Sequence, residues 1–357
     1  MARPTYIVLS QENLRYNLST IRARYPLCKV IAMVKANAYG HGIRRVSGIL
    51  EGHVEYFGVS SIDEALVLRN FSVQTPIILM EGVFCPSEFM LAWKHGLSVV
   101  FQSSQQWEWF KAAPVPVKAW LKIDTGMGRL GFTLLEAERI YEEMYHHNSI
   151  EAPFGIMSHF ACADITGHPM NVLQYQAFSK FLEGKSAIKS LENSASCLIP
   201  QGKISDVVRP GLLLYGCSPF PEHSAQALGL KPVMSLTSQL IRVFQAEQGQ
   251  TLGYGGRYVC KTSMPVGVVA VGYGDGYPST IRDGAPILVN NALCKIAGRI
   301  SMDMLTVDLR GMPYARVGDP VTLWGEALPL EELLPYTHEH IWSILAGIQN
   351  RPKSLWV

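Results

Sequence analysis

The chain has 357 residues, more than one hydrophobic core usually serves, so two domains are expected. Its 48% hydrophobic and 17% charged content describes an ordered, core-rich protein; a net charge of +2, from 31 basic and 29 acidic residues without a basic cluster, excludes an electrostatic case for nucleic acid or a membrane surface. The N-terminal apolar run is too short for a signal peptide and no stretch reaches membrane length. The seven scattered cysteines include no Cys-x-x-Cys pair, so a cytoplasmic location, reduced and mostly buried thiols, and no metal are expected.

From residue 30 to about 216, short apolar runs alternate with amphipathic, charged segments, the pattern of repeated β-then-α units in a parallel sheet. Strands are predicted at Val30–Val34, Tyr56–Val59, Pro76–Met80, Leu97–Phe101, Val117–Ile123, Phe154–Met157 and Leu212–Tyr215, with a weaker unit around Glu192–Cys197. Helices fill the intervals; Ser61 is placed to cap one of them, with Glu64 reaching back as its capping-box partner. Eight units suggest a (β/α)8 TIM-like barrel, although a doubly wound open sheet has the same local text. Favouring the barrel, Lys35, Arg129, His159, Ser194 and Arg209 each fall just after a strand, at the face where such barrels carry chemistry.

The barrel is assigned residues 1–230, its first residues being able to pair with the domain that follows. Beyond residue 230, runs such as Val266–Val271 and Pro286–Val289 are split by the turn formers Asp275-Gly276 and Asn290-Asn291, which reads as a C-terminal, mostly antiparallel β domain, 231–357. A helix within Glu331–Ile348 is weakened as a prediction by Pro335.

Lys35 sits where five apolar residues, Val30 to Val34, deliver one amine to a strand end. An ammonium beside apolar surface is expensive to keep charged, and a neutral amine can condense with a carbonyl to form a Schiff base. A lysine that merely snorkels out of a strand end fits the same spacing. The text that follows, Lys35-Ala36-Asn37-Ala38-Tyr39-Gly40-His41-Gly42, closely resembles the pyridoxal-phosphate lysine motif of bacterial alanine racemases. The likeness recurs in Asp124 to Phe132, Ser158-His159-Phe160, Val208-Arg209-Pro210-Gly211, Leu214-Tyr215-Gly216, Gly253-Tyr254-Gly255-Gly256, Gly272 to Tyr277 and Gly298 to Asp303, in the family's order over essentially the whole chain.

That resemblance implies a pyridoxal 5'-phosphate enzyme that interconverts L- and D-alanine by a two-base mechanism, supplying D-alanine for peptidoglycan. Lys35 is implied as the cofactor lysine and one base. Tyr254 is implied as the second base, contributed by the partner subunit of a homodimer with shared active sites. A phenol is a weak base near neutral pH, so His159 and Arg209 are implied as the hydrogen-bonded relay behind it, with Arg209 facing the pyridine nitrogen. Tyr39, Ser194 and the backbone N–H groups of Gly211 and Leu212 match the phosphate anchors; Gly211 lacks the side chain that would hold a phosphate away. Arg129 and the backbone N–H of Met302 of the partner subunit are implied for the substrate carboxylate. Lys122 matches a lysine that is carbamylated in many members, an unmodified lysine being the alternative, and Tyr273 and Asp303 stand as supporting residues.

Ser301 stands where the family often has cysteine or alanine, and the tail Arg351–Val357 gives no basis for a role of Asn350 or Trp356. A racemase for serine or another small amino acid is the alternative activity. A basic amino-acid decarboxylase of the same barrel superfamily is disfavoured by the missing Gly-Gly-Gly loop and by Arg209, where an acidic partner is expected. A non-catalytic cofactor carrier has no need of the β segment bearing Tyr254 and Met302.

Overall fold

The alternating apolar runs resolve, in the computed structural model, into eighteen strands among the described residues 3–200, 202, 204–220 and 222–357. The chain divides into one unit of Leu18–Leu214 and a second of Met1–Asn17 with Tyr215–Val357, so the expected boundary at 230 lies inside the second unit. Strand β1 (Tyr6–Leu9) belongs to that second unit.

The first unit is a (β/α)8 barrel. Its parallel strands are β2 (Lys29–Met33), β3 (Tyr56–Val59), β4 (Ile77–Leu79), β5 (Leu97–Phe101), β6 (Val117–Lys122), β7 (Ile150–Met157), β8 (Ile188–Ser190) and β9 (Val207–Val208). Each pairs with the next through β8, and β9 returns to β2. The seam between β8 and β9 is drawn together by Asp206 N donating to Lys189 O at 2.9 Å and Ser190 Oγ donating to Val207 O at 2.6 Å. Two expectations are corrected here. Leu212–Tyr215 forms turns rather than a strand, its apolar side chains buried without a ladder after Pro210, and the closing strand is the two-residue β9. The weak unit at Glu192–Cys197 holds a helix, Ser194–Leu198, while its strand is β8 just upstream.

Side chains alternate across each strand, and the inward set fills the barrel: Ile31, Met33, Ile78, Met80, Val100, Trp120, Met157 and Val207 form one buried cluster. Gly155 makes room for Trp120, since a Cβ there would fall 2.0 Å from the indole. Burying an indole of this size contributes about 2–3 kcal/mol. Two residues beyond Trp120, the same parity turns Lys122 inward at the C-terminal end of β6, and two beyond Met33 it reaches Lys35.

In the second unit, the 13-residue β10 (Met234–Ala246) organises an antiparallel sheet. The short hairpin β11 (Thr251–Leu252) and β12 (Tyr258–Val259) stands apart from it, and β13 (Met264–Val269), β14 (Pro286–Val289), β15 (Ala292–Ile296), β16 (Leu305–Asp308) and β17 (Pro320–Trp324) complete it. A bulge between Leu240 and Arg242 bends β10, so that its first half pairs with β17 and its second half with β13, closing a ring β13-β16-β15-β14-β17-β10. Beyond the ring, β1 pairs antiparallel with β10, and β18 (Lys353–Trp356) pairs parallel with β1. Asn290 and Asn291 take positive φ of 48° and 62° in the β14–β15 hairpin, as expected of that turn. The segment Glu331–Ile348 splits into a 3-10 turn, Leu330–Tyr336, and a helix, Ile341–Ala346; Pro335 lies inside the former. Among the described residues no helix is long and apolar enough to cross a membrane.

Candidate active site

At the C-terminal end of β2 the chain makes an unusual turn. Ala36, Asn37, Ala38 and Tyr39 all have φ between 51° and 54°, a left-handed helical turn built without glycine. Left-handed backbone costs an L-residue about 1–2 kcal/mol each, so its surroundings must hold it. They do: Ala38 N donates to Val34 O at 2.8 Å, Ile43 N to Asn37 Oδ1 at 2.9 Å, and Ala36 N to Glu64 Oε1 at 2.7 Å. His41, buried, has its Nδ1 within 2.8 Å of Tyr39 O and 3.1 Å of Ala38 O; burial holds it neutral, with its pKa down at about 4. The turn begins with Lys35 and ends with Tyr39, so its shape governs both.

Glu64 corrects the expected capping box. Ser61 Oγ does accept from Glu64 N at 3.4 Å, but the Glu64 carboxylate accepts from Ser60 N at 2.8 Å and from Ala36 N, not from Ser61 N.

Lys122 is buried at 7% exposure, and its pKa is pulled down to about 8, chiefly by burial and then by the charges of Arg209, Arg129 and Lys35. Four cations therefore share one field at this end of the barrel. Arg129 is exposed, on a loop tied by Asp124, whose carboxylate accepts from the N–H groups of Gly126, Met127 and Gly128 at 2.8–2.9 Å. Asp124 N to Phe132 O and Phe132 N to Lys122 O, both 2.9 Å, close the loop back onto β6.

Arg209, 4% exposed, is held by Ser190 Oγ at 2.5 Å, Ser158 O at 2.5 Å and Leu191 O at 3.2 Å, and its Nη2 donates to His159 Nδ1 at 3.3 Å. Burial lowers its pKa to about 10, which leaves it cationic at neutral pH. His159 is kept well below its ordinary pKa by burial and by Arg209, Lys122, Arg129 and Lys35. Neutral and accepting at Nδ1, it carries its proton on Nε2.

Ser194 opens the helix that Asn193 caps in a capping box with Ser196, and its Oγ accepts from Gly211 N at 2.9 Å. A Cβ at Gly211 would lie 2.6 Å from Tyr39 Oη, so the bare backbone, Tyr39 and Ser194 line one cradle of hydroxyls and main chain, suited to a phosphate. Burial raises the Tyr39 pKa to about 12, keeping it a hydroxyl donor. Leu212 follows with its side chain buried. The barrel thus brings Tyr39, Ser194 and Gly211 into contact, and Arg209 with His159, while Lys122 shares the field of Lys35, Arg129 and Arg209.

The second unit carries the remaining predicted residues. Tyr254, 69% exposed, sits on the tip between β11 and β12, where Gly253, Gly255 and Gly256 all take positive φ; a Cβ at Gly253 would meet Arg299 N at 2.9 Å. Tyr273 and Met302 are also exposed, on adjoining turns joined by Tyr273 N to Ser301 O at 3.1 Å and Gly274 N to Met302 O at 2.9 Å. Asp303 pairs with Arg351 at 2.8 Å.

Two residues support the site in ways the sequence did not reveal. Asp275, fully buried, accepts from Arg3 Nη2, Arg351 Nε and Gly272 N, all at 2.9 Å, and so anchors the Tyr273 turn. Gln174, also fully buried, donates to His159 O at 2.9 Å and Thr125 Oγ1 at 3.3 Å while accepting from Ala161 N at 2.8 Å, which ties the Arg129 loop to the His159 loop. Asp275 stood in the quoted Gly272–Tyr277 text; nothing in an amphipathic helix marks Gln174. Among the described residues no group of His, Cys, Asp and Glu could hold a metal ion.

The sequence and the fold both match known proteins. Residues 9–219 match the family description "Alanine racemase, N-terminal domain" and residues 233–356 "Alanine racemase, C-terminal domain". The chain is 42% identical to an alanine racemase of Pasteurella multocida, over 93% of this chain and 92% of that one, and 39% identical to one of Legionella pneumophila, over 98% and 99%. A crystal structure of the biosynthetic alanine racemase of Pseudomonas aeruginosa superposes with a TM-score of 0.97 at 38% identity, covering 99% of both chains. The alanine racemase of Bartonella henselae with covalently bound pyridoxal phosphate superposes at 0.90, with 25% identity over 99% of each chain. With a barrel that buries Lys122 and Arg209 behind Lys35, a β domain that presents Tyr254 and Met302, and family matches across both, the chain belongs to the alanine racemase family.

Proposed function

We propose that this protein is a pyridoxal 5'-phosphate-dependent racemase that interconverts L- and D-alanine as a cytoplasmic homodimer, with D-alanine for peptidoglycan as its product. The observation that carries the reading is the cluster of Lys35, Lys122, Arg129 and Arg209 beside the Tyr39, Ser194 and Gly211 cradle, a cationic, hydroxyl-lined site at the chemical end of a barrel. These residues fit the cofactor: the cradle, with the N–H groups at Gly211 and Leu212, suits its phosphate, the Lys35 amine its aldehyde, and the Arg209 guanidinium its ring nitrogen. When bound, the cofactor supplies an electron-accepting ring that makes removal of an amino acid's α-proton affordable.

The chain's own groups do the rest. Lys35 Nζ would hold the cofactor through its aldehyde, and as a free amine it would exchange the α-proton on the face used by the D-isomer. The Oη of Tyr254 of the partner subunit exchanges it on the opposite face, used by the L-isomer. Burial, then the charge of Arg209, keeps His159 neutral, and the Arg209 hydrogen bond orients it, so the pair forms a hydrogen-bonded relay behind the phenol. A guanidinium keeps its proton, so Arg209 would offer the ring nitrogen a hydrogen-bond donor and no acid to protonate it. Arg129 and the N–H of Met302 of the partner subunit clamp the substrate carboxylate, with Tyr273 and Asp303 supporting the Met302 side.

Lys122 is read as carbamylated. With its pKa near 8 a useful fraction of the amine is neutral; it adds to carbon dioxide, forming an N–C bond and releasing a proton, and the anion so formed faces cations instead of joining them. Relatives matched over more than nine-tenths of both chains favour alanine over serine as substrate.

The reading is tested by supplying purified protein and cofactor with L-alanine in deuterated water. D-alanine carrying deuterium at the α-carbon is expected. Folded, cofactor-loaded protein that leaves alanine unexchanged contradicts the proposal, and faster turnover of serine would transfer it to the other amino acid.

A further inference from the structure

The left-handed turn from Ala36 to Tyr39 has a strap that the chemistry above does not use. Glu64, at the start of the helix Ile62–Asn70, sends its two carboxylate oxygens in different directions: Oε1 to Ala36 N at 2.7 Å and Oε2 to Ser60 N at 2.8 Å. The first is the amide immediately after Lys35, and the second lies at the end of β3, the strand that pairs with β2. Val34 N also reaches that strand's end, donating to Gly58 O at 3.0 Å. One carboxylate thereby locks the entry of a strained turn to the neighbouring barrel strand.

We propose that Glu64 is a positioning residue for Lys35 and Tyr39. The four left-handed residues cannot set their own shape, because each prefers the right-handed well; the turn persists only where contacts at its ends outweigh that preference. Its entry is fixed by Glu64, and its exit by Asn37 Oδ1 and His41. Two N–H groups donating to one carboxylate are charge-assisted bonds, about twice as strong as neutral ones. Releasing the entry lets the turn relax, which moves the Lys35 amine and the Tyr39 hydroxyl together, away from Ser194 and Gly211.

The inference rests on the cofactor reading but is tested apart from racemisation. Glu64→Gln keeps one acceptor and sets an NH2 against the other N–H. Glu64→Asp keeps the charge at the helix start but is one methylene too short to span both amides. Both variants are compared with the parent by pyridoxal phosphate titration, by hydrogen exchange of residues 36–40, and by thermal unfolding.

For both, cofactor affinity about tenfold weaker is expected, with faster exchange confined to residues 36–40 and a Tm within a few degrees of the parent, since the loss is one charge-assisted hydrogen bond. Where the cofactor lysine is active in racemisation, kcat falls with little change in KM. If Glu64→Asp binds cofactor and exchanges like the parent, Glu64 serves only the helix terminus and the proposal fails. If Glu64→Gln unfolds, the Glu64→Asp result decides alone. Parent protein that binds cofactor through Lys35 without racemising alanine would overturn the activity while leaving this test intact.

Discussion

The two units prepare their functional side chains in opposite ways. The barrel buries its charges: Lys122 and Arg209 are 7% and 4% exposed, and Arg209 donates three hydrogen bonds to groups at the ends of two neighbouring strands, β7 and β8. The β unit leaves Tyr254 and Met302 69% and 52% exposed, yet fixes the backbone beneath them with glycine turns and the fully buried Asp275 between two arginines. Burial tunes charge by removing water. A tip presented to solvent tunes nothing by itself, and the proposed dimer would cover it. In the proposed reaction the barrel therefore holds a finished environment for Lys35, and the β unit presents Tyr254 as a reagent for the partner's site.

The contrast breaks most visibly at the exposed tip. Tyr254→Phe removes the proposed second base and nothing from the barrel, so racemisation should fall by about 10²–10⁴-fold, while cofactor affinity and the absorbance of the lysine-bound cofactor stay as in the parent. A variant that loses cofactor instead would make Tyr254 a structural residue.

Lys122 sharpens the buried side. Its folded pKa of about 8 lies below lysine's ordinary 10.5, so between those values the unfolded chain binds the extra proton. The resulting burden on the folded state, about 3 kcal/mol, is present in full below pH 8 and lifts as pH rises toward 10.5. Carbamylation removes the burden, so bicarbonate should raise Tm near pH 7 and do much less near pH 10.5, and Lys122→Met should stabilise the bicarbonate-free protein near pH 7. A Tm indifferent to bicarbonate, with an unmodified intact mass, would count against the carbamate.

The smallest effect belongs to Met302. Its assigned contact is the backbone N–H, and its side chain is half exposed, so Met302→Ala should alter kcat/KM by less than about threefold, the scale of a surface substitution. A loss of a hundredfold would mean that the thioether itself meets substrate.

Much of this arrangement was legible in the sequence, for identifiable reasons. Lys35, Arg129 and His159 follow apolar runs whose length marks strand ends, and Gly253-Tyr254-Gly255-Gly256 can hardly be anything but a tight turn. The last two barrel strands escaped because β8 and β9 have three and two residues, too few for periodicity to register, while the buried turns of Leu212–Leu214 imitate a strand in composition alone. The supports of the site escaped for a different reason. Asp275 meets Arg3 across 272 positions and Arg351 across 76, and Gln174 reaches Thr125 across 49; no local pattern encodes such pairings. Glu64 was read as a capping residue from its three-residue spacing, and the turn it straps lies 28 positions away.

The central claim, that the two bases of one site come from two chains, is tested by coexpressing Lys35→Ala and Tyr254→Phe subunits under different tags and isolating the heterodimer. A two-fold dimer with shared sites rebuilds one native site from the two defective chains, so about half of the parent's activity per dimer should return although each variant homodimer is nearly inactive. A heterodimer no more active than the variant homodimers would mean that Lys35 and Tyr254 act within the same chain.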